Sequence, residues 1–304
     1  MKEKNLSTFG TTIYNLSFPP RDYFKTFTID RYTFTSNANP SLSSTYSPKK
    51  DWREIRPTAK VSIQEEEELS IIYQGGKRVN RLRGTETKRH FLDDILLLMS
   101  LCLGRNMVPE YMLNSNEWPV VARNHLERVS KTPDQLRSDI VSALGYIKST
   151  AWQQQYLSGF HLRMIFHAAN VLNTETRFLA FFVPWEWLYS RLTGNDKENN
   201  LREILSYILK YFWPNTNRSI FNAKANNILQ TLRNQLAHSG MLPITNRGDL
   251  WMRALSKEDL LERYVPFFIR LTQIVVLKTI GLNCEGRIYG FNSDFNSFLS
   301  QGKL

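Results

Sequence analysis

The sequence predicts an α+β protein in which a β-rich N-terminal domain precedes a mainly α-helical C-terminal bundle. The first 85 residues are dense in Thr, Tyr, Phe and Ile with partial two-residue alternation, which is typical of strands. Further along, apolar residues recur at helical spacing, and short links between long amphipathic segments favour antiparallel helices. We therefore expect a β-rich N-terminal domain, an intermediate helical segment, a helical bundle and a C-terminal tail, over residues 1–85, 86–150, 151–285 and 286–304 respectively.

In the N-terminal part, the strand signal is strongest in two stretches, "FGTTIYNLSF" and "YFKTFTIDRYTF". Residues 35–50 are rich in Ser, Asn and Pro and predict a loop. Two further short strands are expected on either side of the turn Gln74-Gly75-Gly76-Lys77.

Helix boundaries follow from capping and stop residues. Gly104 is placed to end the first helix, and Thr132 followed by Pro133 is a good start for the second, which should run to about Ser149. Gly194 and Gly281 are expected stops, Asp196 and Ser256 are expected N-caps, and Ser256 with Asp259 approximates a capping box. The bundle helices are expected at 151–172, 174–193 with a kink at Pro184, 196–213, 221–239 and 256–281.

The composition is strongly basic, with a net charge of +11 and a pI near 9.6. This charge favours polyanions, with nucleic acid first and an anionic membrane surface second, although a charge that serves only solubility is the alternative. The two cysteines, Cys102 and Cys284, form no CxxC pattern, so a reducing compartment fits best. No secretory signal is visible, and the longest apolar run, at 95–103, is too short for a membrane span of about 20 residues. We expect a cytoplasmic protein with no membrane partner, no metal and no cofactor.

The stretch that suggests chemistry is "LRNQLAHSG", residues 232–240. Histidine can move a proton near neutral pH, arginine can stabilise negative charge on a phosphate, and asparagine can orient either group. Together Arg233, Asn234 and His238 suit metal-independent RNA cleavage. The alternative is structural, because Arg or His in the last turn of a helix is favoured by the macrodipole and by the free carbonyls.

Helical geometry adds a prediction about assembly. Asn234 and His238 are four residues apart and share a face, whereas Arg233 lies about 140° round the helix from His238. The two side chains converge on one phosphate if the last turn unwinds, or if two copies of the helix meet. A homodimer or higher oligomer is therefore expected.

The six residues Arg233–His238, near the end of a helix in an all-α bundle, resemble the Arg-x4-6-His motif of the HEPN superfamily (higher eukaryotes and prokaryotes nucleotide-binding domain). The resemblance covers roughly residues 150–285. It implies an endoribonuclease, active as a dimer, of the kind found in bacterial anti-phage and toxin systems, with RNA as substrate and a partner protein of such a system. It also implies that Glu186, on the preceding helix, faces the motif. Other members of the family are non-catalytic nucleic-acid-binding or dimerisation subunits, and this is the alternative function.

Several further residues are candidates with structural alternatives. His161 and His167 are six apart, a poor spacing for a metal pair, and the aromatic run at 181–189 suits either a core, a dimer surface or base stacking. Basic residues at 77–90 and in the Asn-rich stretch 215–227 can follow a phosphate backbone, but a solvated hairpin and an ordinary polar loop explain them equally well. These candidates for nucleic-acid binding are Lys77, Arg78, Arg81, Arg83, Lys88, Arg89, Arg218 and Lys224.

Overall fold

The computed structural model is α+β and mainly helical over the residues that it describes. These are 6–14, 26–29, 32–36, 57–66, 72–74, 77–79, 83–105, 107–109, 126–171, 173–195, 200–215, 226–239, 256 and 259–301. The chain divides into two compact units. The first unit consists of Met1–Val121 with Ser130–Val141, and the second of Ala122–Val129 with Ser142–Leu304. The first unit therefore extends beyond the expected boundary at residue 85.

The first unit contains a five-stranded antiparallel sheet and a separate two-stranded ladder. The strands are β1 Leu6–Tyr14, β2 Thr26–Ile29, β3 Tyr32–Ser36, β4 Pro57–Glu66, β5 Ile72–Gln74, β6 Lys77–Val79 and β7 Val108–Pro109. The strand order of the larger sheet is β2-β3-β4-β1-β7. In the β2–β3 pair, the rings of Phe27 and Phe34 lie 5.0 Å apart, and both side chains are buried together with Ile29. The ladder β5–β6 pairs Gln74 with Lys77, as the sequence predicts.

Two helices lie on either side of β7 in the sequence. Helix α1, Arg83–Leu103, has buried apolar residues from Leu92 onward and ends at Gly104, whose φ of 62° is readily accessible only to glycine. Helix α2, Pro133–Ile147, begins as predicted, because the hydroxyl of Thr132 accepts a hydrogen bond from the amide of Gln135 at 3.2 Å. Its residues up to Val141 belong to the first unit.

The second unit is helical, and its core is built around one central helix. The α-helices are α3 Thr150–Tyr156, α4 Phe160–Ala169, α5 Thr174–Ala180, α6 Val183–Thr193, α7 Leu201–Phe212, α8 Asn226–Ser239, α9 Val265–Thr279 and α10 Phe291–Gln301, with 3-10 turns at Leu157–Gly159 and Glu285–Arg287 and a π-turn at Leu260–Tyr264. The central helix is α9, in which twelve residues are buried because aromatic and aliphatic side chains occur all round it. It is contacted by helices α4, α5, α6, α7 and α10.

Two expected helices are interrupted. The segment 151–172 breaks where Leu157 and Gly159 adopt φ values of 44° and 82°. The segment 174–193 breaks before Pro184, which occupies the first turn of α6. Proline tolerates this place because it needs no amide hydrogen there, whereas inside a helix it would remove a hydrogen bond and clash with the preceding turn.

The ends of the chain's helices show which caps were predicted correctly. The capping box is present, because Ser256 and Asp259 hydrogen-bond each other's backbone amides at 3.2 and 3.0 Å. Gly194 and Gly281 have positive φ at the ends of α6 and α9, as expected. The expected cap Asp196 lies outside the described residues, and Asn200 caps α7 instead.

The expected C-terminal tail, 286–304, contains helix α10. The rings of Phe291 and Phe298 are fully buried and lie 6.2 and 4.8 Å from that of Phe267 on α9. The apolar residues at 291, 295 and 298 follow a helical spacing, so the signal for this helix was present in the sequence.

Candidate functional site

The motif helix α8 packs through the apolar face that its sequence predicts. Ile228, Leu229 and Leu232 are fully buried and Leu236 nearly so, and the helix contacts α5 and α7. This packing leaves residues 233–235 only partly buried. The polar part of the motif is therefore accessible at the surface of the second unit.

Glu186, Arg233 and Asn234 come together in the structure. The Nη2 atom of Arg233 lies 3.5 Å from Oε1 of Glu186, and its Nη1 donates to Oδ1 of Asn234 at 3.3 Å. Charge-assisted N–H···O bonds are usually about 2.7–2.9 Å long, so both contacts are loose. Because the side chains of Arg233 and Glu186 are 35% and 45% exposed, the guanidinium is oriented by its neighbours and remains open to an anion from solvent.

Glu186 owes its position to the way α6 is anchored. The neighbouring Trp185 is fully buried, and its indole N–H donates to the hydroxyl of Thr272 on α9 at 2.8 Å. Pro184 fixes the first turn of the helix, where a carboxylate is also favoured by the macrodipole. The acidic residue thus lies on a rigid element beside α8.

His238 lies in the last turn of α8, and its side chain lies outside what the structure describes. The backbone stays α-helical through Ser239, so the unwound last turn that would bring Arg233 and His238 together is not present in α8. On this helix the two positions remain about 140° apart, while Asn234 lies one turn before His238.

The other basic candidates that the structure describes belong to the first unit. Lys77 and Arg78 lie on β6, paired with Gln74 and Tyr73. Helix α1 carries Arg83, Lys88 and Arg89. The basic stretch 77–90 is therefore divided between a strand and a helix of the first unit, whereas Arg233 belongs to the second unit. Arg81, Arg218 and Lys224 lie outside the described residues.

The two histidines of α4 have different environments. His161 is completely buried, and burial lowers its pKa to about 3, whereas His167 is exposed. Across the described part of the chain, no group of three His, Cys, Asp or Glu side chains is arranged to hold a metal ion. His161 is thus a neutral core residue at physiological pH.

No protein-family model, curated protein or solved structure matches the chain. None of the helices in the described ranges combines the length and the apolar character that crossing a bilayer requires. Function is therefore inferred from the side chains and their geometry.

Proposed function

We propose that the protein is a metal-independent endoribonuclease of the HEPN type, with its active site at the exposed end of α8. The observation that carries this proposal is the contact of Glu186 with Arg233. The two residues are 47 positions apart in sequence, and the HEPN resemblance implies that Glu186 faces the motif. A helix cap alone does not explain this contact, because Arg233 reaches across to α6 instead of the carbonyl groups at the end of its own helix.

The chemistry needs only these side chains and the RNA. The 2′-oxygen attacks the adjacent phosphorus, the bond from phosphorus to the 5′-oxygen breaks, and the products carry a 2′,3′-cyclic phosphate and a 5′-hydroxyl. His238 removes the proton of the 2′-hydroxyl or returns one to the leaving 5′-oxygen. Arg233 donates to the phosphate oxygens as their charge increases, Glu186 orients its guanidinium, and Asn234 links Arg233 to the face that carries His238.

The active form in this proposal is a dimer or higher oligomer. Because α8 is regular, positions 233 and 238 of one chain lie about 140° apart around the helix, and a second copy supplies the missing partner at each phosphate. In the setting that the resemblance implies, the protein acts in anti-phage defence or a toxin system, with a partner protein that controls it. The first unit, with its sheet and basic residues, then selects RNA or senses the signal.

The test is cleavage of end-labelled RNA in EDTA by the wild type, by His238→Ala and by His167→Ala, with the mass of each protein measured in the same buffer. We expect the wild type and His167→Ala to cut RNA as oligomers, leaving cyclic phosphate ends, and to spare DNA of the same sequence. His167 is the matched control, because it is an exposed histidine on α4.

The proposal fails if the folded, oligomeric wild type leaves RNA intact, or if His238→Ala cuts as well as His167→Ala. Salt-sensitive RNA binding that survives in all three proteins without cutting identifies a non-catalytic binding subunit instead.

A further inference from the structure

Next to Glu186 on α6, Trp187 packs against an aromatic side chain that the second unit exposes. Phe160 is 49% exposed and Trp187 is half-buried, and their ring centroids lie 5.9 Å apart. Apolar surface beside polar groups is a common feature of a binding surface. We call Phe160 and Trp187 the aromatic platform.

The buried ring of His161 stacks against the Trp187 ring of the aromatic platform. The imidazole is parallel to the indole of Trp187 within 11°, at a centroid distance of 5.2 Å. Phe160 lies on the outer side at 5.9 Å from Trp187, inclined by 55°. Since His161 is itself wedged against Tyr156, at 5.1 Å, the platform has a rigid base.

His161 is an uncharged support for this stack. The hydroxyl of Thr279 donates to the carbonyl of Val276, so its oxygen accepts from Nε2 of His161 at 2.6 Å, and Nε2 therefore carries the hydrogen. The other ring nitrogen, Nδ1, is buried and has no hydrogen-bond partner among the described residues. His161 therefore presents an uncharged ring to the indole of Trp187.

Helix α6 places the aromatic platform and the candidate site on one face. At about 100° per residue, Val183, Glu186 and Trp187 lie within about 100° of one another around the helix axis. Trp185 points the other way, into the core, so the aromatic run at 181–189 serves two purposes. The exposed Glu186, which contacts Arg233, and the half-buried Trp187 are consecutive residues of α6.

We propose that Phe160 and Trp187 form a stacking site for one base of a single-stranded RNA whose phosphate is bound at Arg233, a role that rests on the proposed nuclease function. A nucleotide consists of a charged phosphate and a flat, polarisable ring. The surface offers the guanidinium of Arg233 at Glu186, and two aromatic rings that begin at the next residue, Trp187. Stacking of this kind tolerates any base, because every base has a π face. The net charge of +11 favours the same ligand.

A second copy of the chain is the competing occupant of the aromatic platform. Stable protein interfaces use about 20–30 residues on each side, whereas one base covers only the rings on which it stacks. The size of the aromatic platform matches a single base, and the oligomeric mass of the variant described below distinguishes the two occupants.

The experiment measures binding of fluorescently labelled 2′-O-methyl RNA, which cannot be cleaved, and of an abasic strand with the same number of phosphates. Phe160→Leu removes an exposed ring without disturbing the core, and Tyr289→Leu is the matched control, because Tyr289 is 97% exposed at a different place in the second unit. We expect Phe160→Leu to bind the RNA about 5- to 20-fold more weakly, toward the lower end of the range measured for stacked bases, with no change for the abasic strand.

The salt dependence of binding should be the same in all three proteins, because no phosphate contact is removed. The inference is overturned if the wild type binds neither strand, if Phe160→Leu binds both strands as the wild type does, or if it loses affinity equally for both. It is also overturned if Phe160→Leu changes the oligomeric mass, which would identify a self-association surface. Cleavage is measured separately. If the protein binds the RNA more tightly than the abasic strand but does not cut, the nuclease function is refuted and the stacking site is kept. If it cuts RNA but binds both strands equally, the stacking site is refuted and the nuclease function is kept.

Discussion

Replacing the buried His161 with phenylalanine should make the second unit resistant to mild acid. In the folded protein the imidazole is completely buried, and burial lowers its pKa from 6.5 to about 3. In the unfolded chain it has its ordinary pKa. Phenylalanine keeps a flat ring among Tyr156 and Trp187 and removes the buried nitrogen that has no hydrogen-bond partner among the described residues.

The magnitude follows from proton linkage. Between pH 6.5 and pH 3 only the unfolded chain binds a proton at His161, so the free energy of unfolding falls as the pH is lowered through this window and is highest above it. One pKa unit corresponds to about 1.4 kcal/mol, so that lowering the pH from 7 to 5 removes about 2 kcal/mol. This loss is specific to His161 and should vanish in His161→Phe.

The assay is urea unfolding, followed by circular dichroism, at pH 7 and at pH 5. The wild type should lose about 2 kcal/mol more between the two pH values than His161→Phe loses. His167→Phe serves as the control, because the exposed His167 should leave the wild-type difference intact. Equal losses in the wild type and in His161→Phe would refute the reasoning, since they would mean that His161 takes up a proton without unfolding.

Two further predictions concern Glu186 and two glycines with positive φ. Glu186→Gln should change the free energy of unfolding by less than about 1 kcal/mol in thermal melts, because the contact of Glu186 with Arg233 is long and half-exposed. In cleavage assays it should lower the rate of RNA cleavage on the order of tenfold or more, because the guanidinium of Arg233 loses its orientation. A large loss of stability with unchanged cleavage would contradict this prediction. Gly281→Ala should destabilise the protein more than Gly194→Ala in the same melts. Both positions have positive φ, which costs about 1 kcal/mol for alanine, but of the two only Gly281 lies where an added Cβ would overlap another residue, the ring of Tyr146. Equal effects would show that the ring moves aside freely.

Local signals in the sequence were sufficient for many element ends. The pairing of Gln74 with Lys77, the cap at Thr132 and the stop at Gly104 were each predicted from a few adjacent residues. Such features depend on backbone preferences that act over one turn. The breaks at Leu157 and before Pro184 were harder to place, because the apolar spacing continues across them and packing decides where the helix resumes.

Other features depend on residues that are far apart in the sequence. These are the contact of Glu186 with Arg233 and the different burial of Trp185 and Trp187. Composition and periodicity were enough to predict an α+β chain, a basic charge and a polar motif in the last turns of an amphipathic helix. The family resemblance also implied that Glu186 faces the motif, but the contact of Glu186 with Arg233, and the burial of Trp185 two residues before a half-buried Trp187, follow from how the helices pack. The physical reason is that helix packing brings distant positions together and sets how each helix is turned about its own axis.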